Sequence, residues 1–240
     1  MPLCFPSLSC SFPIFSLRRK LAVVACACLL VGQFEKLDAS EQKSVDQEMT
    51  EEEWAAKREE VMRWMVLYHQ HPEPTSVAKR IEEFSQYGFL LDMRSTATIL
   101  GFAWQLFREN EAYLDQWMEA VHNKLPINQQ IPFVLALHMA NSPTALGIID
   151  EQLTKPGDMG RLYRSVNNVD PETYYSLEAL LATEPAKIRP DAVPICLGAF
   201  YASGNVDFLR VIKNYATYDS QDQDRATARA VLEIIGVQFD

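Results

Sequence analysis

The chain has 240 residues, of which 48% are apolar and 22% charged, and its formal net charge is −10. This composition excludes a disordered or collagen-like chain, and the length suffices for a substantial hydrophobic core in one large domain or two small ones. Binding to nucleic acid depends on cations set against phosphates, so this acidic chain is not expected to have nucleic acid as its main partner.

Residues 1–39 differ in composition from the rest of the chain and predict a signal or targeting segment. The basic cluster at residues 18–20 precedes a charge-free apolar run at residues 21–32, which is the arrangement of a secretory signal peptide. Twelve helical residues span about 18 Å, less than the roughly 30 Å of a bilayer's hydrocarbon core, so a transmembrane helix is disfavoured.

Three fates of this segment are open. Cleavage near Ala39 is the preferred one and would leave an exported protein, either periplasmic or secreted. Retention would anchor the protein to the membrane through residues 21–34, and acylation of Cys26 or Cys28 would make it a lipoprotein. Four of the five cysteines lie in this segment, so a cleaved chain would keep Cys196 alone and could form no internal disulfide.

After a polar linker at residues 40–49, residues 50–240 are predicted to form a single all-α domain without a sheet. Apolar residues recur at helical spacing, and no stretch shows the period-two alternation of strands. Thr50 and Glu53 form a capping box, Ser95 is expected to cap a later helix, and Ser142 followed by proline marks another helix start. Helices are predicted over residues 50–71, 75–87, 95–110, 113–125, 128–141, 143–153, 170–182, 191–203, 206–218 and 223–236, whereas residues 162–166 are left open between helix and loop.

Two of these helices, 128–141 and 191–203, are apolar on nearly every side and are predicted to lie at the centre of the domain. Residues 155–158 predict a loop, and Gly88 and Gly204 are placed to end helices in the left-handed conformation. The inward face of the last helix is predicted to consist of Ala230, Val231, Ile234 and Ile235.

Short polar turns join several helices, which predicts that consecutive helices are antiparallel neighbours. Asn110, Asn141 and Asn205 each stand at such a turn, with spacings of 31 and 64 residues that are compatible with one repeated helix–turn–helix unit. The predicted architecture is therefore a stack of antiparallel helical hairpins, similar to an α-solenoid or an irregular helical array.

His69 and His71 are the strongest candidates for chemistry. Beside Glu73, two imidazoles at the end of a helix could bind a metal ion. A metal site needs a third and usually a fourth ligand, however, and histidine at a helix C-terminus also simply complements the helix dipole. We therefore assign no residue as a metal ligand and keep a metal-binding or hydrolytic site in this loop as the alternative.

The other reactive side chains are expected to be structural. Cys196 lies in an apolar helix where its thiol would be buried, His138 is expected to be a hydrogen-bonded core residue, and His122 is expected on the surface. No motif of a serine hydrolase, zinc protease, P-loop or dinucleotide-binding protein occurs, so no catalytic or cofactor-binding residue is predicted. Acidic side chains expected to face solvent are those of residues 51–53, 59–60 and 82–83.

Most aromatic side chains fall on the apolar faces of the predicted helices and are expected to pack in the core. A subset could instead line a groove for a partner helix or peptide, and Tyr174 with Tyr175 is the best exposed pair. The expected core aromatics are Trp54, Trp64, Trp104, Trp117, Phe102, Phe107, Tyr113, Phe200 and Tyr201.

Seven short segments follow one another in a recognisable order: YHQHPEP (68–74), GFLL (88–91), GFA (101–103), FREN (107–110), WME (117–119), AL (136–137) and AFYASGN (199–205). In this order they resemble a group of uncharacterised exported α-helical proteins of Gram-negative bacteria, over about residues 60–235. The resemblance implies export and an all-α body, with no activity or cofactor. It also implies that residues 72–74 and the turn at Gly204 and Asn205 are fixed structural points.

The expected function is that of an exported, non-enzymatic scaffold or protein-interaction module, because stacked helices expose long continuous surfaces. The expected partner is another protein, with membrane contact only through the N-terminal segment if that segment is retained or lipidated. The alternatives are a cell-envelope hydrolase or metal-binding protein that uses His69 and His71, and a scaffold tethered to the membrane.

Overall fold

Helices fill almost all of the chain that the computed structural model describes, which is residues 49–167, 176–218 and 223–236. No strand occurs in these residues, so the predicted all-α class is confirmed. The α-helices of the described residues are α1 (Glu51–Leu67), α2 (Val77–Gln86), α3 (Met93–Glu109), α4 (Leu114–Lys124), α5 (Ile131–Ala140), α6 (Pro143–Leu153), α7 (Gly157–Asn167), α8 (Leu177–Ala182), α9 (Ala192–Ser203), α10 (Asp207–Thr217) and α11 (Gln223–Ile235).

Two predicted helix starts are confirmed by their hydrogen bonds. The Thr50 hydroxyl accepts the Glu53 N–H at 3.2 Å, and the Glu53 carboxylate accepts the Thr50 N–H at 2.8 Å, which completes the capping box of α1. The Ser142 hydroxyl accepts the Ala145 N–H at 3.3 Å, and proline fills the first position of α6. Both caps satisfy amide groups that the first helical turn leaves without a partner.

Three local predictions were wrong. Helix α3 is capped by Asp92 rather than Ser95, because the Asp92 carboxylate accepts the Ser95 N–H at 2.8 Å. The helix predicted over residues 170–182 does not run through Ser176, which is extended and caps α8, and residues 170–175 lie outside the described residues. The loop predicted at residues 155–158 is shorter than expected, because α7 already begins at Gly157.

The centre of the domain is the crossing of α3 and α9, where two glycines let the backbones touch. A Cβ atom added to Gly101 would lie 1.9 Å from the Ile195 carbonyl oxygen, and one added to Gly198 would lie 1.8 Å from the Thr98 carbonyl oxygen. Helix α5 also packs on α3, α10 packs on α9, and α11 packs on α10. The burial predicted for the apolar helices α5 and α9 is therefore confirmed.

The predicted inward face of α11 was wrong at Ala230, which is exposed, and at Ile234, which is 86% exposed. Ile235 packs against the core as predicted and Val231 is half-buried, while the fully buried apolar residues are Ala228 and Leu232. The buried face also includes Arg225, whose guanidinium donates to the Tyr215 carbonyl oxygen and lies 4.3 Å from the centre of the Tyr215 ring and 4.7 Å from that of Tyr218. The buried face of α11 thus includes a cation that stacks on aromatic rings, which the apolar periodicity of the sequence did not predict.

Consecutive helices pack on each other at α5–α6 and α9–α10, as the short turns at Asn141 and Asn205 predicted, and also at α6–α7 and α10–α11. The turn at Asn110 predicted the same for α3 and α4, but the backbones of these two helices do not pack closely on each other. The backbone of α4 packs on α2, which shows that neighbours along the chain are not the only partners. The stacking of these helices as a regular series of antiparallel hairpins stays a prediction. Among the described residues, no helix combines the length and the apolar character needed to cross a bilayer.

Candidate functional site

Two adjoining clefts, of about 610 and 780 Å³, lie side by side on the surface and share Arg108, Ser176 and Glu178. We call them together the α3–α8 groove. The other residues that line it come from α3, the α5–α6 turn, α8 and the start of α10: Trp104, Gln105, Glu109, Glu111, Met139, Ala140, Asn141, Ser142, Pro143, Leu177, Leu181, Ala182, Asn205 and Phe208.

The groove lies where the three asparagine turns meet. Asn141 adopts the left-handed conformation with φ of 48° at the end of α5. Gly204 ends α9 with φ of 68°, and the Asn205 side-chain oxygen then accepts the Asp207 N–H at 3.0 Å. Asn110 bonds through its Nδ2 to the Leu106 carbonyl oxygen, while the residues on either side of it line the groove. Turns that the sequence marked only as helix ends therefore gather around one surface feature.

Two side chains in the lining of the groove carry buried hydrogen-bond donors. Trp104 is 2% exposed and Gln105 is 5% exposed, and they line different halves of the groove. The indole Nε1 of Trp104 and the amide Nε2 of Gln105 are closed off from solvent and make no hydrogen bond with another described residue. A buried donor without an acceptor costs roughly 1–3 kcal/mol, so these two atoms lower the stability of the fold at α3.

The charged side chains of the groove are three carboxylates, on Glu109, Glu111 and Glu178, and the guanidinium of Arg108. None of the four forms a salt bridge with another described residue. Glu111 accepts a hydrogen bond from the Thr144 hydroxyl at 2.9 Å. Burial raises the pKa of the Glu109 carboxyl, and the neighbouring Arg108 partly opposes this shift. The groove therefore presents three carboxylates that form no salt bridge with a described residue.

The structure separates the two histidines of the alternative metal site. The centres of the His69 and Phe200 rings lie 5.1 Å apart. His69 also packs against Gly204, because a Cβ atom added to Gly204 would lie 3.0 Å from the Cδ2 of His69. His71 and Glu73 are exposed. Within the described residues, no group of three His, Cys, Asp or Glu side chains is arranged to hold a metal ion. His69 instead fixes the end of α1 to the end of α9.

The predicted burial of Cys196 is confirmed. Its side chain is 0% exposed, and burial raises the pKa of the thiol to about 12, so the thiolate form is disfavoured. The expectation for the acidic pairs was wrong at Glu83, which lies against α1 and bonds to Arg80 at 2.6 Å and to Lys79 at 3.3 Å. Arg80 also reaches Glu60 at 3.3 Å, so these charges link α2 to α1.

The prediction that His122 lies on the surface was wrong. The side chain is half-buried, and its Nε2 lies 2.9 Å from the hydroxyl oxygen of Tyr163, which is fully buried on α7. Burial lowers the pKa of His122 and raises that of Tyr163. His138 is also half-buried, burial lowers its pKa, and its Nε2 has no partner, so the expected hydrogen bond at this atom is missing.

Lowering the pH from 7.5 to 5.5 is expected to reduce the free energy of unfolding, and replacing His122 should weaken this dependence. Because burial lowers the pKa of His122, the unfolded chain, with a pKa of about 6.5, binds the proton more readily than the folded chain. The stability that neutral His122 provides is complete above about pH 6.5 and is lost as the pH falls below that value. Urea unfolding of His122→Gln and of the exposed control His71→Gln measures the effect. An equal pH dependence in His122→Gln and the unmutated protein would contradict it.

Comparison of the chain with protein-family models, with curated proteins and with solved structures found no match. The groove is therefore the feature of the molecule from which a function can be proposed. The sequence predicted the turns of the groove but not its floor, because Trp104 was expected in the core and Gln105 lies among the apolar residues of α3. Only the polar character of Gln105 within that apolar stretch could have marked it.

Proposed function

We propose that the protein is a non-enzymatic helical binding protein that holds an extended segment of another protein in the α3–α8 groove. The observation that carries this proposal is the groove itself, two adjoining clefts that share Arg108, Ser176 and Glu178 and are lined by several helix ends. The volumes of the two clefts fall within the usual range for ligand sites of roughly 300–1,000 Å³.

An extended polypeptide fits the exposed polar groups of this groove because its backbone brings carbonyl oxygens and amide N–H groups at regular spacing. Arg108 supplies only donors, which match carbonyl oxygens, and the carboxylates of Glu109 and Glu178 supply acceptors, which match amide N–H groups. Leu177, Leu181 and Phe208 add apolar lining for side chains of the segment.

The test begins with a display library of random peptides selected on the full chain. Arg108→Trp places a large ring between the two halves of the groove and should weaken binding of the selected peptides by at least about tenfold. Arg161→Trp is the matched control, because Arg161 is an exposed arginine on α7 that does not line the groove. Failure to select any peptide, or equal binding by both variants, would overturn the proposal.

We also propose that the protein acts outside the cytoplasm, in the periplasm or after secretion, like the exported α-helical proteins of Gram-negative bacteria that it resembles. The support is the basic cluster and apolar run of residues 18–32. The N-terminal sequence and intact mass of the protein recovered from its own cells distinguish cleavage near Ala39 from lipidation or retention.

A further inference from the structure

We propose that two copies of the chain associate through the outer faces of their α11 helices, which pair in antiparallel orientation. This inference goes beyond the proposed function and does not depend on it, because no residue of α11 lines the α3–α8 groove. The partner is a second copy of the chain, and it is selected by the pattern of size and charge along α11.

The outer face of α11 is apolar along its midline. The helix packs on α10 through the face that includes Ala228 and Leu232, which are buried. Ala226, Ala230 and Ile234 follow at intervals of four residues on the opposite side of the helix, and all three are exposed. Ile234 is 86% exposed, more than any other large apolar side chain of the described residues. Covering this face with a partner would therefore remove apolar surface from water.

The small and large residues of this face complement themselves when the helix is reversed. If two α11 helices run antiparallel and cross at Ala230, Ile234 of each copy lies beside Ala226 of the other, because both are four residues from the crossing point. Alanine leaves room there for the isoleucine side chain, and two alanines at the crossing let the helix axes approach closely. The same residues meet on both copies, so the contact closes as a symmetric dimer.

The charged residues beside the midline favour the same orientation. Arg229 and Glu233 are exposed and form no salt bridge with another described residue. Glu233 lies in the last turn of α11, where the helix dipole disfavours an acid, and an arginine four residues before a glutamate is the weaker order for pairing within one helix. In the antiparallel pair, Arg229 of each copy meets Glu233 of the other, because one residue precedes the crossing point and the other follows it. A parallel pair would set like charges side by side.

The test is a pair of charge reversals, measured by sedimentation equilibrium of the full chain from about 10 μM to about 1 mM. Helix α11 spans about 20 Å, so the contact is small and the unmutated protein should form a weak dimer with a dissociation constant of about 100 μM. Arg229→Glu alone sets glutamates against glutamates, and Glu233→Arg alone sets arginines against arginines. Each variant should dimerise at least about tenfold more weakly.

A mixture of Arg229→Glu with Glu233→Arg is the decisive measurement. One copy then carries two glutamates and the other two arginines, so opposite charges meet at both ends of the contact. The mixture should regain the dimer, with a dissociation constant within about threefold of that of the unmutated protein. Dimerisation that neither reversal weakens would arise elsewhere in the chain and overturn the inference. A mixture that stays monomeric, or an unmutated protein that stays monomeric at about 1 mM, would also overturn it.

Lys124→Glu and Glu119→Arg are the matched controls, because they make the same changes of net charge at exposed positions of α4. Alone and mixed, they should dimerise as the unmutated protein does. Equal weakening by Lys124→Glu and Arg229→Glu would mean that only net charge matters and would overturn the pairing of α11. Failure here leaves the proposed peptide site intact, since the selection of peptides and their loss in Arg108→Trp do not involve α11.

Discussion

Replacing either glycine at the α3–α9 crossing with alanine is expected to destabilise the domain by roughly 3 kcal/mol or more. The new Cβ atom of Gly198→Ala would lie 1.8 Å from the Thr98 carbonyl oxygen, and that of Gly101→Ala would lie 1.9 Å from the Ile195 carbonyl oxygen. Backbone atoms cannot turn aside as a flexible side chain can, so the two helices must separate and the core around them must loosen. Urea unfolding followed by circular dichroism measures the loss.

Gly147→Ala is the control and should have the opposite sign. Gly147 lies within α6, and an added Cβ atom would meet nothing within 4 Å. Alanine there should stabilise the protein by about 0.5–1 kcal/mol, because it reduces the freedom of the unfolded chain.

The double variant Gly101→Ala, Gly198→Ala adds a second check. Once one methyl group has separated α3 from α9, the second methyl group meets less resistance. The double variant should therefore lose less stability than the sum of the losses of the two single variants. Unchanged stability of both single variants would show that the helices do not approach as closely as the crossing requires.

Local signals predicted much of this fold because their physical causes are local. The Ser142 cap and the left-handed ends at Gly88 and Gly204 depend on backbone groups within a few residues. The all-round apolar character of α9 likewise indicated burial without any knowledge of its neighbours. At α3 the predicted cap, Ser95, was wrong because the helix begins earlier, at Met93, where Asp92 caps it.

What could not be predicted depends on contacts between distant elements. The orientation of α11 depends on Arg225, which packs against Tyr215 and Tyr218. The spacing of apolar residues does not predict that this guanidinium is buried. His122 was assigned to the surface because nothing nearby in sequence shows that Tyr163, on α7, lies against it. The groove has the same origin: its turns are local features, but its floor exists only because α8 and α10 lie beside the end of α3.

Trp117 is expected to be the most costly aromatic side chain to remove, with Trp117→Ala losing about 4 kcal/mol of unfolding free energy. The side chain is fully buried and stacks on the rings of Phe107 at 5.9 Å and Tyr113 at 5.6 Å between centres. Its Nε1 also donates to the Pro74 carbonyl oxygen at 3.1 Å, which ties the segment between α1 and α2 to α4. Alanine would therefore leave a large cavity and release that segment together.

Two further substitutions separate these contributions. Trp117→Phe keeps most of the buried area but loses the hydrogen bond, and should cost about 1 kcal/mol from that loss alone. Trp54→Ala, at a ring that is 37% exposed and contacts Tyr87 edge-on at 5.3 Å, should also cost only about 1 kcal/mol. Circular dichroism must follow the urea unfolding, because each substitution changes the tryptophan fluorescence. If Trp117→Ala lost no more stability than Trp54→Ala, the stacked cluster of Trp117, Phe107 and Tyr113 would not be a central part of the core.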